Sequence, residues 1–380
     1  MIDPRYDVAV IGAGPAGLTS AAEMSASGLS VLVLESKPEI GNPVQCGEAV
    51  SRRCLSYSDM NDGPWIVHPI RSYRIHSPSG GYLTSSSDGC SIRRDFFDQE
   101  LAGRAGESGA EIRTGTTVLS GRSIGDGWKL NTSNGSLGCR AVVLACGPVS
   151  HLNKKFGLSE NVEFMLGLGA KIRRRDASEV MNFYTKGELE GGYGYYFPRE
   201  TEVNIGLCAR KSTGERLDLF MREQGIRRKE VISYHGGVIP DGGPLSKLTG
   251  RGVMAAGDCG GFCHPVSKGG IYCAMLSGRE AGKGTVEYLS GDGEALERKE
   301  KLLREHPAFS RLNLKRRDLL ASFNDRTLDE ITEIVDGRDI KKLGRIEMAA
   351  KAALRPQLVN ALKGGIGLVE KNLEWLDYTF

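Results

Sequence analysis

Residues 6–35 constrain this chain more than any other stretch. Asp7-Val8-Ala9-Val10-Ile11 is a short, apolar, β-branched run that suits a buried parallel strand. Gly12-Ala13-Gly14-Pro15-Ala16-Gly17 follows at once, and Leu18 to Ser27 then reads as a helix, small and apolar along one face. Ser30-Val31-Leu32-Val33-Leu34 is a second buried strand with Glu35 at its end. Strand, glycine turn, helix, strand and acid within about 30 residues make the dinucleotide-binding fingerprint.

Each part has a physical task. Gly12 permits the tight turn out of the strand, Gly14 lets the backbone approach a pyrophosphate, and Gly17 lets the helix pack tightly on the sheet. Free N–H groups at the helix start and the positive end of its dipole favour phosphate. Glu35 can accept hydrogen bonds from both ribose hydroxyls of an adenosine. The bland alternative is an ordinary βαβ unit with a glycine-rich turn, and the acid in register with both strands argues against it.

The chain has 380 residues, enough for two or three domains and a large core. Its 26% charged and 40% hydrophobic residues are ordinary for a soluble globular protein. A net charge of +3 gives no global case for nucleic acid. No apolar run approaches the roughly 18–20 residues of a membrane span, and a first strand beginning by residue 7 leaves no signal peptide to expect. The nine cysteines, an odd number scattered among small and apolar residues, fit a reducing cytoplasm better than a disulfide framework.

Beyond Glu35, residues 37–48 hold two prolines and two glycines and read as a loop at the sheet edge where open α/β folds bind ligands. Ala49 to Leu55 suggests a helix, and residues 56–90 suggest turns and short strands. Gln99 to Ser108 suggests a helix, Glu111 to Arg113 a strand, and residues 116–145 a meander whose last, apolar run returns to the nucleotide sheet. Residues 160–235 read as one mostly antiparallel sheet, with a helix over Leu217 to Gln224. Gly252 to Asp258 is a short buried strand ending in Gly-Asp, Cys259 to Lys268 a loop, and Tyr272 to Tyr288 a helix. Residues 295–380 read as helical. The expected architecture is α/β: a doubly wound, Rossmann-type nucleotide-binding domain (1–60, 90–150 and 245–292), an antiparallel-sheet substrate domain (61–89 and 151–244) and a helical C-terminal region (293–380).

Three further pieces join the fingerprint. Asp258 could hydrogen-bond a ribityl or phosphate-linked hydroxyl. The N–H groups at Gly269-Gly270-Ile271 could stabilise negative charge on a flavin ring. Arg94 precedes a helix, a suitable place for a cofactor contact. The glycine turn with Glu35, Arg-Asp-x-Phe-Asp around Arg94, and Gly257-Asp258 resemble the FAD-dependent oxidoreductases of the p-hydroxybenzoate hydroxylase type. FAD as the cofactor is what that resemblance implies; the glycine turn alone does not choose it.

Within that superfamily the chain is similar to the geranylgeranyl reductase family, which includes archaeal digeranylgeranylglycerophospholipid reductases. Pro43-Val44-Gln45-Cys46-Gly47-Glu48 resembles its PxxCGE loop. Tyr193-Gly194-Tyr195-Tyr196-Phe197-Pro198 with Asn204-Ile205-Gly206 resembles its YxWxFP…NxGxG lipid-site motif, and Gly257-Asp258…Pro265…Gly269-Gly270-Ile271 its GD…P…GGGI segment. Tyr195 stands where the family usually has Trp, Cys208 where it usually has Gly, and Cys146-Gly147-Pro148 where it usually has Ala-Asp-Gly.

The resemblance implies reduction of C=C bonds in prenyl chains during membrane lipid synthesis, with hydride from N5 of reduced FAD. It implies cofactor contacts at Gly12, Gly14, Ala16, Gly17, Glu35, Ser36, Cys46, Gly47, Arg94, Ala145, Gly147, Gly257, Asp258, Gly269, Gly270 and Ile271. It implies substrate contacts at Tyr193, Tyr195, Phe197, Pro198 and Gly206. An isolated alkene is a poor electrophile, so catalysis would rest on positioning, a strongly reducing flavin and a dry apolar tunnel. Phe164, Met165, Leu166, Phe183, Tyr193, Tyr195, Tyr196 and Phe197 offer the surface for such a tunnel, or else pack the sheet's own core. Cys46 is a candidate proton relay against the flavin, with a small packing residue as the alternative. His264 is a candidate proton donor, with a loop-holding histidine as the alternative. Cys259 and Cys263, four apart, are too few for a metal site and suggest at most a redox pair; no metal is expected.

Between Leu296 and Arg317 eight Lys/Arg and three acids leave a net +5 in a helical segment. It is either a solvated face or a peripheral contact with an anionic membrane. Residues 355–380 could cap the substrate domain. With one nucleotide fingerprint only, the electron donor is open: NAD(P)H, a ferredoxin or a reduced deazaflavin. A cytoplasmic location, with peripheral contact on the membrane's inner face as an option, is expected. The rival readings are an aromatic-ring monooxygenase on the same scaffold and an electron-transfer flavoprotein without a prenyl substrate.

Overall fold

The computed structural model describes residues 6–211 and 214–339. The expectations for residues 340–380, a lid at 355–380 among them, lie outside the described residues.

In chain order the elements are β1 (Tyr6–Ile11), α1 (Pro15–Ala26), β2 (Val31–Leu34), β3 (Ala49–Ser51), α2 (Arg52–Tyr57), β4 (Ile66–His76), β5 (Tyr82–Ile92), α3 (Arg94–Glu107), β6 (Glu111–Arg113), β7 (Val118–Ile124), β8 (Gly127–Thr132), β9 (Gly135–Leu144), α4 (Leu152–Lys155), β10 (Phe164–Ile172) and β11 (Val180–Tyr184). They continue with β12 (Tyr193–Arg199), β13 (Glu202–Ala209), α5 (Gly214–Glu223), β14 (Val231–Pro240), β15 (Thr249–Gly250), β16 (Val253–Ala255), α6 (Ile271–Leu289), α7 (Ala295–Glu305), α8 (Arg311–Ala321) and α9 (Asp325–Val335). Three expectations are corrected. Residues 49–51 are strand, and the helix starts only at Arg52, where the Ser51 hydroxyl accepts the Cys54 N–H as an N-cap. Residues 66–92 form two eleven-residue strands rather than short ones. The helix expected from Gln99 starts at Arg94.

The chain divides into two compact units, each assembled from three segments. Among the described residues the first comprises 6–44, 94–164 and 239–310; the second comprises 45–93, 165–238 and 311–339. These boundaries differ from those read in the sequence, since residues 45–60 join the second unit and 151–164 the first.

In the first unit the sheet runs β15-β16-β9-β1-β2-β6, with β7 and β8 continuing from β9. The pairs β16/β9, β9/β1, β1/β2 and β2/β6 are parallel. Val8, Ala9, Val10, Val31 to Leu34 and Ala141 to Leu144 are buried, as apolar strands covered on both faces must be. Helix α1 packs closely on α6: a Cβ on Gly278 would lie 2.2 Å from the Ala16 carbonyl oxygen.

In the second unit the sheet runs β14-β10-β13-β12-β11-β4-β5-β3. The β10/β13, β12/β13, β11/β12, β4/β5 and β3/β5 pairs are antiparallel, while β11 and β4 are parallel. One face buries Ala170, Ile172, Val203, Ile205 and Leu207 against Leu217, Phe220 and Met221 of α5. The other face gathers Ile70, Tyr73, Met181, Phe183, Tyr195 and Phe197. The two-residue period of β12 thus sends Tyr193, Tyr195 and Phe197 to one face and Tyr196 to the α5 face, so Tyr196 leaves the expected aromatic lining.

Candidate functional site

The glycine turn lies between the end of β1 and the start of α1. Gly12 has φ +105°, and a Cβ there would lie 2.3 Å from the Ala145 carbonyl oxygen. A Cβ on Gly17 would lie 1.9 Å from the Gly12 carbonyl oxygen. Gly14 is different, because no atom comes within 4 Å of its Cβ position. Pro15 takes the first helical position, and no side chain caps α1. Open space beside an uncapped helix start is what a phosphate group requires.

Glu35 closes the other side. Its Oε2 accepts the Ala13 N–H at 2.7 Å and its Oε1 the Lys37 N–H at 2.8 Å. The Ser36 hydroxyl lies 3.2 Å from Oε1. The carboxylate therefore holds the turn and keeps lone pairs for hydroxyl donors. Ala145, which follows β9, donates its N–H to the Ile11 carbonyl at 2.8 Å, and Gly147 has φ +87°. This donor set, with the open position at Gly14, fits a dinucleotide such as FAD.

Further along the same unit, Gly257 has φ +59° and its Cβ position lies 2.8 Å from Cβ of Ala16, which sets the 257–260 turn on the first turn of α1. Asp258 is partly exposed but closely enclosed, and burial pushes its carboxyl up to about 6 while the Arg94 guanidinium pulls it down. Arg94 grips Asp98 through Nε (3.1 Å) and Nη2 (2.9 Å). Helix α6 also starts without a side-chain cap, at Gly270, and Asp258 Oδ1 is 3.6 Å from the Cβ position of that glycine. Asp258 and Gly269-Gly270-Ile271 are thus neighbours. His264 is fully buried, its Nδ1 accepting the Ser267 N–H at 3.1 Å, and the Lys268 ammonium is buried against Asp241 and the Pro265 carbonyl.

In the second unit, Cys46 is half-buried and its sulfur accepts the Glu48 N–H at 3.2 Å. Gly47 lies over the aromatic face: its Cβ position is 3.0 Å from Phe197 and 3.5 Å from Tyr195. Tyr195 stacks on Phe197 with ring centroids 4.8 Å apart, and Phe183 meets Phe197 and Tyr193 edge-on at 5.3 and 5.2 Å. The buried Tyr195 hydroxyl is 3.1 Å from Nε2 of His235, and it occupies the space left by Gly206, whose Cβ would lie 2.3 Å away. Burial raises the Tyr195 phenol and lowers the His235 imidazole. Pro198 accepts the Ser91 hydroxyl at its carbonyl, 2.7 Å away.

Four residues that anchor this loop carried no role in the sequence reading. The buried Glu48 carboxylate meets Arg199 (3.1 Å), Lys171 (3.4 Å) and the Asn204 amide (2.9 Å), and Asn204 also donates to the Gly47 carbonyl at 3.0 Å. Glu48 and Asn204 stand inside the quoted motifs, which was the available signal. Arg199 and Lys171 offered none. Among the described residues no group of three or more His, Cys, Asp or Glu is placed to hold a metal ion, and no helix is long and apolar enough to cross a membrane.

A family model described as Lycopene cyclase protein matches residues 7–328, so the chain falls within that grouping. The digeranylgeranylglycerophospholipid reductase of Methanocella arvoryzae is 30% identical over 95% of this chain and 99% of its own length. The chain belongs to the digeranylgeranylglycerophospholipid reductase family. A solved structure of another such likeness, the geranylgeranyl bacteriochlorophyll reductase-like protein Ta0516 from Thermoplasma acidophilum, superposes with a TM-score of 0.83 at 27% identity, over 94% of this chain and 98% of that one. A flavin-dependent brominase shares the fold at 17% identity, with a TM-score of 0.67 over 93% of this chain and 99% of that one. For this member of the reductase family, the aromatic face below Gly47 is built around Tyr195 stacked on Phe197.

Proposed function

We propose that this chain is an FAD-dependent reductase that saturates C=C bonds of geranylgeranyl chains in membrane lipid synthesis. The observation that carries the reading is its end-to-end likeness to the Methanocella reductase. Bound and reduced, FAD supplies the hydride. The chain's own residues bind and orient. Gly12, Gly14, Ala16 and Gly17 seat the pyrophosphate, and Glu35 with Ser36 takes the ribose hydroxyls. Arg94, Ala145, Gly147, Gly257 and Asp258 line the cradle, and the α6 start at Gly269, Gly270 and Ile271 offers N–H groups to the ring's negative side. Within the described residues, 6–44, 94–164 and 239–310 serve the nucleotide, and 45–93 and 165–238 the substrate.

Tyr193, Tyr195, Phe197 and Gly206, with Gly47 over them, hold the prenyl chain away from water; Pro198, paired with Val203, stands on the α5 face with Tyr196 and leaves the expected lining. Cys46 relays the proton to the second alkene carbon. The burial of His264 supports a turn-holding role over proton donation. NAD(P)H, a ferredoxin or a reduced deazaflavin supplies the electrons. The protein works in the cytoplasm, touching the inner membrane face.

The test reduces the purified flavoprotein without oxygen, adds a geranylgeranyl lipid and follows flavin reoxidation with product mass. A gain of about 2 Da per bond with reoxidation is expected. A second reading, prenyl cyclisation, is favoured by the family-model match and would give a product of unchanged mass without reoxidation. A hydroxylated aromatic product would indicate the monooxygenase, and no reoxidation by any alkene an electron-transfer protein.

A further inference from the structure

We propose that Cys146 and Cys259 form a reversible dithiol–disulfide pair at the carboxyl edge of the nucleotide sheet. Parallel neighbours β9 and β16 end at Leu144 and Ala255, and the segments that follow each of them carry one of the two cysteines. The two sulfurs lie 3.4 Å apart, so closing to the bonded distance of about 2.05 Å needs a movement of little more than an ångström. The sequence suggested Cys263 as the partner of Cys259; the structure puts Cys146 there instead.

The pair is asymmetric, as an attacking and a resolving thiol should be. Cys146 is half-buried and so reachable by a small oxidant, while Cys259 is fully buried behind it. Contact with the Cys259 thiol, and the Ser150 hydroxyl 3.0 Å away, hold the Cys146 thiol below its ordinary range against the opposing effects of burial and Glu35. Cys259 is raised by the same contact and by burial. Asn153 fixes it in place, with Oδ1 2.9 Å from the sulfur and Nδ2 donating to the Cys259 carbonyl at 2.9 Å. A lowered, accessible thiol beside a held partner is the arrangement in which oxidation is site-selective.

The oxidant class is a peroxide. The Cys146 thiolate attacks one oxygen, the O–O bond breaks, and hydroxide leaves and takes up a proton, giving a sulfenic acid and water. Cys259 gives up its proton and attacks the sulfenic sulfur; the S–O bond breaks and a second water leaves. Two thiols and one peroxide become one disulfide and two waters, with two electrons passing from sulfur to oxygen. A dithiol reductant reverses it. The closed form ties the segment of Ala145 and Gly147 to the turn of Gly257 and Asp258.

The test does not depend on the reductase reading. The full-length protein, with whatever flavin it retains, is treated with near-stoichiometric hydrogen peroxide, alkylated with N-ethylmaleimide, digested without reduction and mapped by mass spectrometry. The expected result is one peptide pair joined through Cys146 and Cys259, about 2 Da lighter than the two thiol peptides together and lost on dithiothreitol treatment. C146S and C259S should each abolish it. Both cysteines recovered alkylated, Cys146 bearing only oxygen, or either linked to another cysteine, would overturn the proposal. The wild-type map decides even if a variant fails to fold.

Discussion

Arg199 Nη1 lies 3.1 Å from Glu48 Oε2, with the two side chains 2% and 1% exposed. Glu48 itself sits at φ +61°, two residues after Cys46, so this buried pair fixes the loop that presents the thiol. Removing one partner of a buried pair strands the other charge. Glu48→Ala should therefore cost about 3–5 kcal/mol in urea denaturation. A loss under about 1 kcal/mol would mean that Lys171 and Asn204 hold the loop without it.

Gly17→Ala puts a methyl group where the Gly12 carbonyl oxygen already is. The first turn of α1 must then move off the sheet. The expected outcome is loss of FAD from the purified protein, read by flavin absorbance, with about 1–3 kcal/mol lost in stability. Gly103→Ala, in α3 with nothing within 4 Å of its Cβ position, should retain full flavin content and is the control.

Cys46→Ala tests the thiol directly. Turnover of the prenyl lipid should fall about a hundredfold if the thiol moves a proton, while flavin content stays unchanged. Unchanged turnover would make Cys46 a packing residue.

Tyr195→Phe removes the hydroxyl beside His235 and leaves the stacked ring. Stability should drop by about 1 kcal/mol, measured by thermal denaturation, since one buried hydrogen bond is lost and the aromatic packing remains. A loss of several kcal/mol would show that the hydroxyl anchors the face.

Asp258 gives a pH dependence with an unusual sign. Its carboxyl is raised from 3.8 to about 6, so between these values the folded protein holds a proton that the unfolded chain releases. Stability contributed by the protonated form is full below about pH 4 and is lost as pH rises through about 6. The loss is at most about 3 kcal/mol, less for the carboxyl's partial exposure. Asp258→Asn should flatten the wild-type fall between pH 4 and 7 in chemical denaturation.

The nucleotide turn was legible because its demands are local. Glycines, two apolar strands and an acid occur within one short stretch, and Gly12, Gly17 and Glu35 do in the structure what backbone sterics require of them. The long strands β4 and β5 were hidden because Ser, Gly and Pro dominate residues 76–92, and strand formation there depends on pairing with each other and, through β4, on the distant β11. The Glu48 cluster was hidden for a related reason. Arg199, Lys171 and Asn204 come from three strands, and nothing in their spacing announces that they converge on one carboxylate. Cys146 and Cys259, 113 positions apart, meet only because β9 and β16 are neighbours in the sheet.

The alternation of segments between the two units governs how the molecule can be made. The chain passes from one unit to the other after Val44, Arg93, Phe164 and Val238, and again after Ser310. During synthesis the opening βαβ unit emerges early, but its sheet lacks β16 and its helix α1 lacks the packing partner α6 until residue 289 has left the ribosome. No proteolytic or genetic cut within residues 45–310 leaves either unit whole, so the two halves must be inherited, expressed and degraded together.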